Sequence, residues 1–326
     1  MAHHRTGWLL DVAAMETGRA QTGASVRAGL ILGRYVALMR PYQWVKNLAI
    51  FPPVVFSFGL FDPAILAAAF SGFVSLCAIS SSVYALNDVC DADSDARHPR
   101  KRLRPVASGA ISKTSALILS GALALTGLAV AYSVNSWLAA VVAIYWCTIL
   151  LYSLALKRVV LLDVMTIGIG FVLRVIAGAV VSLTPPSNWL LLVALFLALL
   201  LALGKRRQEL ELQASISGSS RSVLRDYDLQ MVNQVLPVLG GLVIMSYSVF
   251  TVSEYAQARF HSDLLIYTVP FVIYAVFRYL HLMHRGAQIE DPSLLFLKDR
   301  PILISALLWI IASGLAIHWP RLWPLS

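Results

Sequence analysis

Residues 64–105 read AILAAAFSGFVSLCAISSSVYALNDVCDADSDARHPRKRLRP and decide the fold class. The first part is an apolar run long enough to cross the hydrocarbon core of a bilayer, which takes about 20 helical residues. An asparagine and several aspartates end this run, and a block of bases follows them. Acidic groups at the edge of a membrane are costly and usually functional, so the stretch predicts a membrane helix that ends in a binding site.

The whole chain has the same membrane character. Of its 326 residues, 58% are hydrophobic and only 13% are charged, which is roughly half the charged fraction of soluble domains. Apolar runs predict about nine spans, near 47–61, 64–87, 115–134, 136–153, 161–183, 188–204, 232–252, 264–280 and 302–319. We therefore expect an all-α, polytopic membrane protein with about nine transmembrane helices around a central cavity.

Basic residues fall in alternate loops and predict the orientation. They precede the first span and follow the second, fourth, sixth and eighth, whereas the opposite loops hold only Arg259 and Arg321. The positive-inside rule then places the N-terminus in the cytoplasm and the C-terminus outside. Residues 1–34 are expected to form a partly disordered cytoplasmic tail, and residues 35–326 the transmembrane domain.

The net charge of +9 does not indicate nucleic-acid binding, because the bases lie in loops between apolar runs. Membrane topology and anionic lipid or phosphate ligands explain them better. Three cysteines form no CxxC pair, so neither disulfides nor zinc are expected.

The acidic helix end has the spacing of a metal site. Asn87, Asp91 and Asp95 stand four residues apart, which stacks them on one helical face, with Tyr84 nearby and Asp88 beside them. Such carboxylates repel one another unless a cation lies between them. Oxygen ligands without His or Cys favour Mg²⁺, which takes its remaining ligands from water and substrate phosphates. A solvated helix end is the alternative, but acids at a helix C-terminus oppose its dipole.

Residues 87–105, NDVCDADSDARHPRKRLRP, resemble the first aspartate-rich motif of the UbiA-type intramembrane prenyltransferases. The layout of about nine helices matches as well, so the resemblance covers nearly everything after residue 35. It implies that Asn87, Asp91 and Asp95 hold Mg²⁺ and a diphosphate in a cavity open to the cytoplasm of a bacterial inner (plasma) membrane. Lys101 and Arg104 would then bind phosphate, although a positive-inside loop alone also explains bases there.

The second acidic motif of that family, of DxxxD type, is replaced here by LALGKRRQELELQ at 201–213. This segment resembles the decaprenyl-phosphate phosphoribosyltransferase branch, as do RPYQWVKNLAIF at 40–51 and YSLALKRVVLLDVMTIGIGFVLRVIAGA at 152–179. The resemblance implies transfer of 5-phosphoribose from phosphoribosyl diphosphate to a polyprenyl (decaprenyl) phosphate, with release of diphosphate. The product would feed arabinose donors for the cell envelope.

Basic and polar residues near the predicted span ends are the remaining site candidates. The candidate catalytic residues are Asp88, Asp91, Lys157 and Arg174. The candidate substrate-binding residues are Lys46, Tyr84, Lys101, Arg104, Tyr152, Lys157, Asp163, Arg174, Lys205, Arg206 and Glu209. Arg174 lies well inside a span, so it contacts either a ligand or a structural acid, namely Asp163 or an acid of the first motif. Asp163 is eleven residues away, about three helical turns, so the two can share a face but cannot touch directly. Asp291 and Asp299 are expected in a solvated loop.

Two other functions stay open. An ordinary prenyltransferase would be favoured if Glu209 and Glu211 bound a second metal. A transporter also fits apolar helices with intramembrane charges, although no inverted repeat supports it. Whether the chain forms a homo-oligomer stays open too.

Overall fold

A computed structural model describes residues 32–57, 59–99, 101–215, 226–285 and 298–322; the predicted tail lies almost entirely outside them. Eight helices of the described chain are long and apolar enough to cross a membrane. In chain order they are α1 (Pro63–Cys90), α2 (Lys113–Val134), α3 (Ser136–Leu154), α4 (Leu162–Val181), α5 (Asn188–Ser215), α6 (Leu229–Val252), α7 (Val269–His284, after a 3₁₀ segment Leu264–Thr268) and α8 (Arg300–Leu322). The prediction of an all-α polytopic membrane protein is confirmed.

The first predicted span, 47–61, is not one long helix. The chain forms a 3₁₀ helix over Pro41–Ile50, a short α-helix over Phe51–Phe56 and a further 3₁₀ turn over Gly59–Phe61. Pro52 and Pro53 explain the break, because proline lacks the N–H that continues a helix and is tolerated only in its first turn. The described chain therefore has eight long helices where the run lengths predicted about nine.

The chain divides into two compact units, of which the first comprises the residues up to Trp44 together with Ser80–Ala124. Its small apolar core consists of Leu38, Ala85, Ala92, Val106, Ile111 and Ala116. The hydroxyl of Ser120 donates to the carbonyl of Ser82 at 2.9 Å and joins α2 to α1. Small hydroxyl residues allow such close helix packing among apolar side chains.

The second unit comprises Val45–Ile79 and Leu125–Ser326. Within it α4 packs against α3 and α5, α5 packs against α6, and α7 packs against α6 and α8. The larger of its apolar clusters lies where α5, α6 and α7 meet and includes Leu200, Leu236 and Tyr279. Gly178 of α4 approaches the backbone carbonyl of Ile50 so closely that no side chain would fit there.

Candidate active site

The acidic stretch of the first unit remains helical but is not one continuous helix. Helix α1 ends at Cys90, Asp91 interrupts it, and a single turn follows over Ala92–Asp95. Backbone hydrogen bonds connect the pieces, from the Asp91 N–H to the Asn87 carbonyl at 2.9 Å and from the Asp95 N–H to the Asp91 carbonyl at 2.8 Å. Asn87, Asp91 and Asp95 are therefore still about one helical turn apart, but they do not lie along one regular helix.

Two of the predicted acids are buried counter-ions for arginines. The Asp88 side chain is 1% exposed and accepts a hydrogen bond from Arg40. The Nη1 atom of Arg104 lies 2.5 Å from Asp95 Oδ2 and 3.6 Å from Asp88 Oδ1. Lys101 Nζ lies 4.0 Å from Asp95 Oδ1. Asp88 and Asp95, seven positions apart, thus share Arg104 as a partner.

Arg40 belongs to this network, although the sequence patterns did not single it out as a site residue. Its φ of 53° lies in the left-handed region, which non-glycine residues rarely adopt. Its guanidinium lies 5.2 Å from the ring centroid of Tyr84, a predicted substrate-binding residue. Backbone conformations of this kind persist where surrounding contacts hold them, and they cluster at functional sites.

Asn87 and Asp91 are half-buried and lie one turn apart at the end of α1. No group of three or more His, Cys, Asp or Glu side chains in the described ranges converges on a metal position. Two oxygen ligands nevertheless fit Mg²⁺, because this ion keeps several waters and binds through one or two protein oxygens plus phosphates. The magnesium site thus stays a prediction whose donor chemistry is satisfied by Asn87 and Asp91, while Asp95 is engaged by Arg104.

Arg174 is the central polar residue of the second unit. It is 6% exposed and donates to the side-chain oxygen of Asn47 at 2.8 Å and to the Gly170 carbonyl at 2.9 Å. It also donates to the hydroxyl of Tyr145, and its guanidinium lies 4.5 Å from that ring and 5.0 Å from the ring of Phe171. Asp163 lies on the same helix but pairs with a different arginine.

That arginine is Arg206 on α5. Its Nε lies 3.2 Å from Asp163 Oδ2, and both side chains are at most 2% exposed. Arg206 also donates to Glu209, and the hydroxyl of Tyr227 donates to Asp163 Oδ1 at 2.7 Å. Three predicted substrate-binding residues, Asp163, Arg206 and Glu209, are therefore brought together in direct contact. Tyr227, which the sequence patterns missed, joins them through its hydrogen bond to Asp163.

Arg207, the next residue, holds helices together. It donates to the Asn233 side chain on α6 and to the Met283 carbonyl on α7, both at 2.6 Å, and pairs with Glu211 at 2.9 Å. Asn233 precedes Pro237 by four residues on α6, so its own carbonyl lacks the usual helical partner.

The remaining predicted residues of the second unit are half-buried. They are Lys46 in the first 3₁₀ helix, Tyr152 near the end of α3, Lys157 in the 3₁₀ turn Leu156–Arg158, and Lys205 on α5. Asp299 is not a free loop acid: it accepts from Arg278 at 3.0 Å and from the Ile302 N–H at 3.0 Å, which caps α8. The Arg278 hydrogen bond lowers the pKa of Asp299 below its usual value. Asp291 lies outside the described residues.

Ionisable side chains are rare in membrane helices and mark places where ions or polar substrates are handled. Among the described residues the first unit buries two of them, Asp88 and Asp95, and the second unit buries Asp163, Arg174, Arg206 and Arg207. The fold and these clusters thus define a multi-pass membrane protein built around buried polar sites.

The chain belongs to the UbiA prenyltransferase family, whose model matches residues 49–298, and it is a membrane transferase of that superfamily. It is 33% identical to a decaprenyl-phosphate phosphoribosyltransferase of Mycolicibacterium smegmatis, over 92% of this chain and 97% of the relative. The protein of the same name from Mycobacterium tuberculosis is 29% identical over 89% of this chain and 96% of the relative. The resemblance predicted from the motifs is confirmed.

Solved structures support the fold. A UbiA homolog from Archaeoglobus fulgidus bound to GPP and Mg²⁺ has a TM-score of 0.67 at 20% identity, covering 87% of this chain and 99% of that chain. A digeranylgeranylglyceryl phosphate synthase structure has a TM-score of 0.63 at 16% identity, covering 88% of this chain and 98% of that chain. At these identities the likeness concerns the fold alone.

Proposed function

We propose that this protein transfers 5-phosphoribose from phosphoribosyl diphosphate to a polyprenyl phosphate, decaprenyl phosphate in the first instance, and releases diphosphate. The reaction would depend on Mg²⁺ and take place at the cytoplasmic face of a bacterial plasma membrane, in the synthesis of arabinose donors for the cell envelope. The names and extents of the relatives support this choice, since they match along nearly their whole length.

The observation that carries the proposal is the charge of Arg174. Arginine offers five N–H donors, and three of them are used by neutral partners, namely an amide oxygen, a carbonyl and a phenol. No carboxylate within the described ranges lies within ion-pair distance of it. A buried cation without a counter-charge is expensive in an apolar layer, and a lipid phosphate would supply the missing negative charge.

The chemistry needs phosphate binding rather than a strong base. An oxygen of the ionised lipid phosphate attacks the anomeric carbon of the donor, while the bond from that carbon to diphosphate breaks and diphosphate leaves with the electron pair. Because the acceptor is already ionised, no general base has to remove a proton. Mg²⁺ held by Asn87 and Asp91 would neutralise charge on the leaving diphosphate when bound.

Bases of each unit have matching roles in the proposal. In the first unit Arg104 and Lys101, held by Asp95 and Asp88, would face phosphate oxygens with their remaining donors. In the second unit Lys46, Lys157 and Lys205 would bind phosphate, with Tyr152 alongside.

A prenyl transfer is the second candidate function, and one observation favours it. Glu209 keeps its side chain 25% exposed, in the segment where the family carries its second acidic motif. A metal ligand at this position would suit a prenyl diphosphate donor.

A direct assay separates the two candidates. Membranes containing the protein are given Mg²⁺ with labelled phosphoribosyl diphosphate and decaprenyl phosphate, and in parallel with geranyl diphosphate and an aromatic acid. We expect a labelled lipid and released diphosphate only in the first reaction, and neither with an Asp91→Asn variant. Product only in the second reaction would overturn the proposal.

A further inference from the structure

Four side chains of the second unit form a chain of contacts from the protein interior to its surface. Tyr227 and Asp163 are buried, Arg206 is 2% exposed, and Glu209 at the end is 25% exposed. The contacts run from the Tyr227 hydroxyl to Asp163 at 2.7 Å, from Asp163 to Arg206 at 3.2 Å, and from Arg206 to Glu209. Only the carboxylate of Glu209 is therefore placed to meet a ligand.

Tyr227 fixes the buried end of this chain. Its oxygen accepts the N–H of Leu161, whose φ of 66° is in the left-handed region, while its hydroxyl donates to Asp163. Burial, together with the hydrogen bond to Asp163, raises the pKa of Tyr227 above its usual range, so the phenol stays a donor. The Asp163–Arg206 contact lacks hydrogen-bond alignment, which leaves Tyr227 as the side chain that orients Asp163 in the described structure.

The partner of Glu209 decides what kind of ligand suits it. A carboxylate oxygen already engaged by a buried guanidinium has part of its negative charge neutralised, so it attracts a metal ion less. It still accepts hydrogen bonds from O–H groups. Such bonds are stronger than those between two neutral groups, because the carboxylate acceptor is ionised. Phosphoribosyl diphosphate carries neighbouring hydroxyls on its ribose, whereas a prenyl diphosphate carries none.

We propose that Glu209 accepts hydrogen bonds from the ribose hydroxyls of the donor, and that Tyr227, Asp163 and Arg206 position it. Glu209 is then a specificity residue, because it favours a sugar donor over a prenyl donor where the family carries an acidic motif. The inference rests on the proposed function, and the other three residues act through Glu209 rather than on the substrate.

Glu209→Gln tests the contact, and Glu211→Gln is the matched control. Both acids lie on α5 and pair with an arginine one helical turn earlier, Glu209 with Arg206 and Glu211 with Arg207. For Glu209→Gln we expect the KM for phosphoribosyl diphosphate to rise about tenfold, because the variant loses one charge-assisted hydrogen bond to the donor. Of the 2-deoxy and 3-deoxy donors, the one that lacks the hydroxyl contacted by Glu209 should show a KM change of less than about twofold in the same variant, and Glu211→Gln should leave the KM values near wild type.

Protection of the purified protein against heat gives a second readout that does not need turnover. Phosphoribosyl diphosphate with Mg²⁺ should protect Glu209→Gln less than wild type, while inorganic diphosphate with Mg²⁺ should protect both equally. Equal loss of protection by inorganic diphosphate would mean that Glu209 acts on the metal–diphosphate end, and it would overturn the ribose contact.

Tyr227→Phe tests the positioning role. Its effect on the donor KM should disappear in the Glu209→Gln background, whereas independent effects would add. Tyr247→Phe is the control for stability alone, because it removes a similarly buried hydroxyl that bonds Thr268 at 2.6 Å. Additive effects, or equal KM changes in the two tyrosine variants, would overturn the positioning role.

Failure of the proposed function has a different signature. A wild-type protein that makes no lipid product and gains no protection from phosphoribosyl diphosphate overturns that function and the role of Glu209 with it. A wild type that makes the product, beside a Glu209→Gln variant with unchanged KM values, overturns the role of Glu209 alone.

Discussion

Asp88→Asn should separate the structural acids of the first unit from its metal-binding acids. Asp88 is 1% exposed and is the shared counter-ion of Arg40 and Arg104. Removing one partner of a buried ion pair costs about 3–5 kcal/mol, and asparagine, which keeps an oxygen acceptor, belongs at the lower end. At about 2–4 °C per kcal/mol, a loss of about 3 kcal/mol should lower the unfolding midpoint by about 6–12 °C.

Two neighbouring substitutions give the contrast. Asp91→Asn, at a half-buried position that we assign to Mg²⁺, should abolish transfer and Mg²⁺-dependent protection by inorganic diphosphate, whatever its effect on the unfolding midpoint. Asp93→Asn is the control, because Asp93 is 86% exposed and pairs with exposed Lys113. An exposed pair contributes about 0–1 kcal/mol, so this variant should behave as wild type in both measurements.

The two readouts are the thermal unfolding midpoint in detergent and the rate of formation of the lipid product in membranes. The reasoning is refuted if Asp88→Asn unfolds at the wild-type temperature, since its charge would then not compensate the two arginines. It is equally refuted if Asp91→Asn keeps full activity, since Asp91 would then not hold the metal.

Three further predictions concern the second unit. Arg174→Gln should raise the KM for polyprenyl phosphate about tenfold or more, and Arg174→Lys should raise it less because lysine keeps the charge. Steady-state kinetics with varied lipid concentration measure both KM values, and wild-type values in both variants would contradict this. Arg207→Met should lower the unfolding midpoint by about 5–10 °C through its lost bonds to α6 and α7, with the donor KM unchanged, and a stable variant with impaired donor binding would count against a purely structural role. Asp299→Asn should lower the midpoint by about 1–2 °C at neutral pH. Because Arg278 lowers the pKa of Asp299, the charged Asp299 stabilises the fold at pH values above its unfolded pKa of about 3.9, and this stabilisation disappears as the pH falls through the folded pKa. A difference in unfolding midpoint between wild type and Asp299→Asn that persists in acid would therefore refute the charge contribution.

Much of the fold was predictable from run lengths, because crossing the bilayer requires about 20 apolar residues whatever their tertiary partners. The exception is 47–61, where composition predicts a span but Pro52 and Pro53 divide the segment into 3₁₀ and α-helical pieces. Hydropathy does not register the missing N–H groups that cause this division. Orientation remains a prediction from the distribution of bases.

The sequence predicted which side chains are candidates for the site, but it did not predict which side chains they contact. The spacing predicted that Asn87, Asp91 and Asp95 share one helical face. In the structure Arg40 pairs with Asp88 and Arg104 pairs with Asp95, and no spacing rule predicts these pairs. Tyr227 carries no sequence signal of its own, because a single tyrosine after a polar loop has no periodicity. Only the tertiary fold brings its hydroxyl to Asp163, 64 residues earlier.

The distribution of counter-charges across the second unit argues for an anionic ligand at Arg174. Arg206, Arg207 and Arg278 each pair with at least one carboxylate. Arg174 lies deep among apolar helices and has only neutral partners in the described structure. If its role were only to join α3, α4 and the 3₁₀ helix, neutral side chains would make the same hydrogen bonds without burying a charge. A retained charge at this position is therefore best explained by a phosphate that binds there during the reaction, and this is why lipid affinity, rather than stability, is the property that Arg174→Gln should change most.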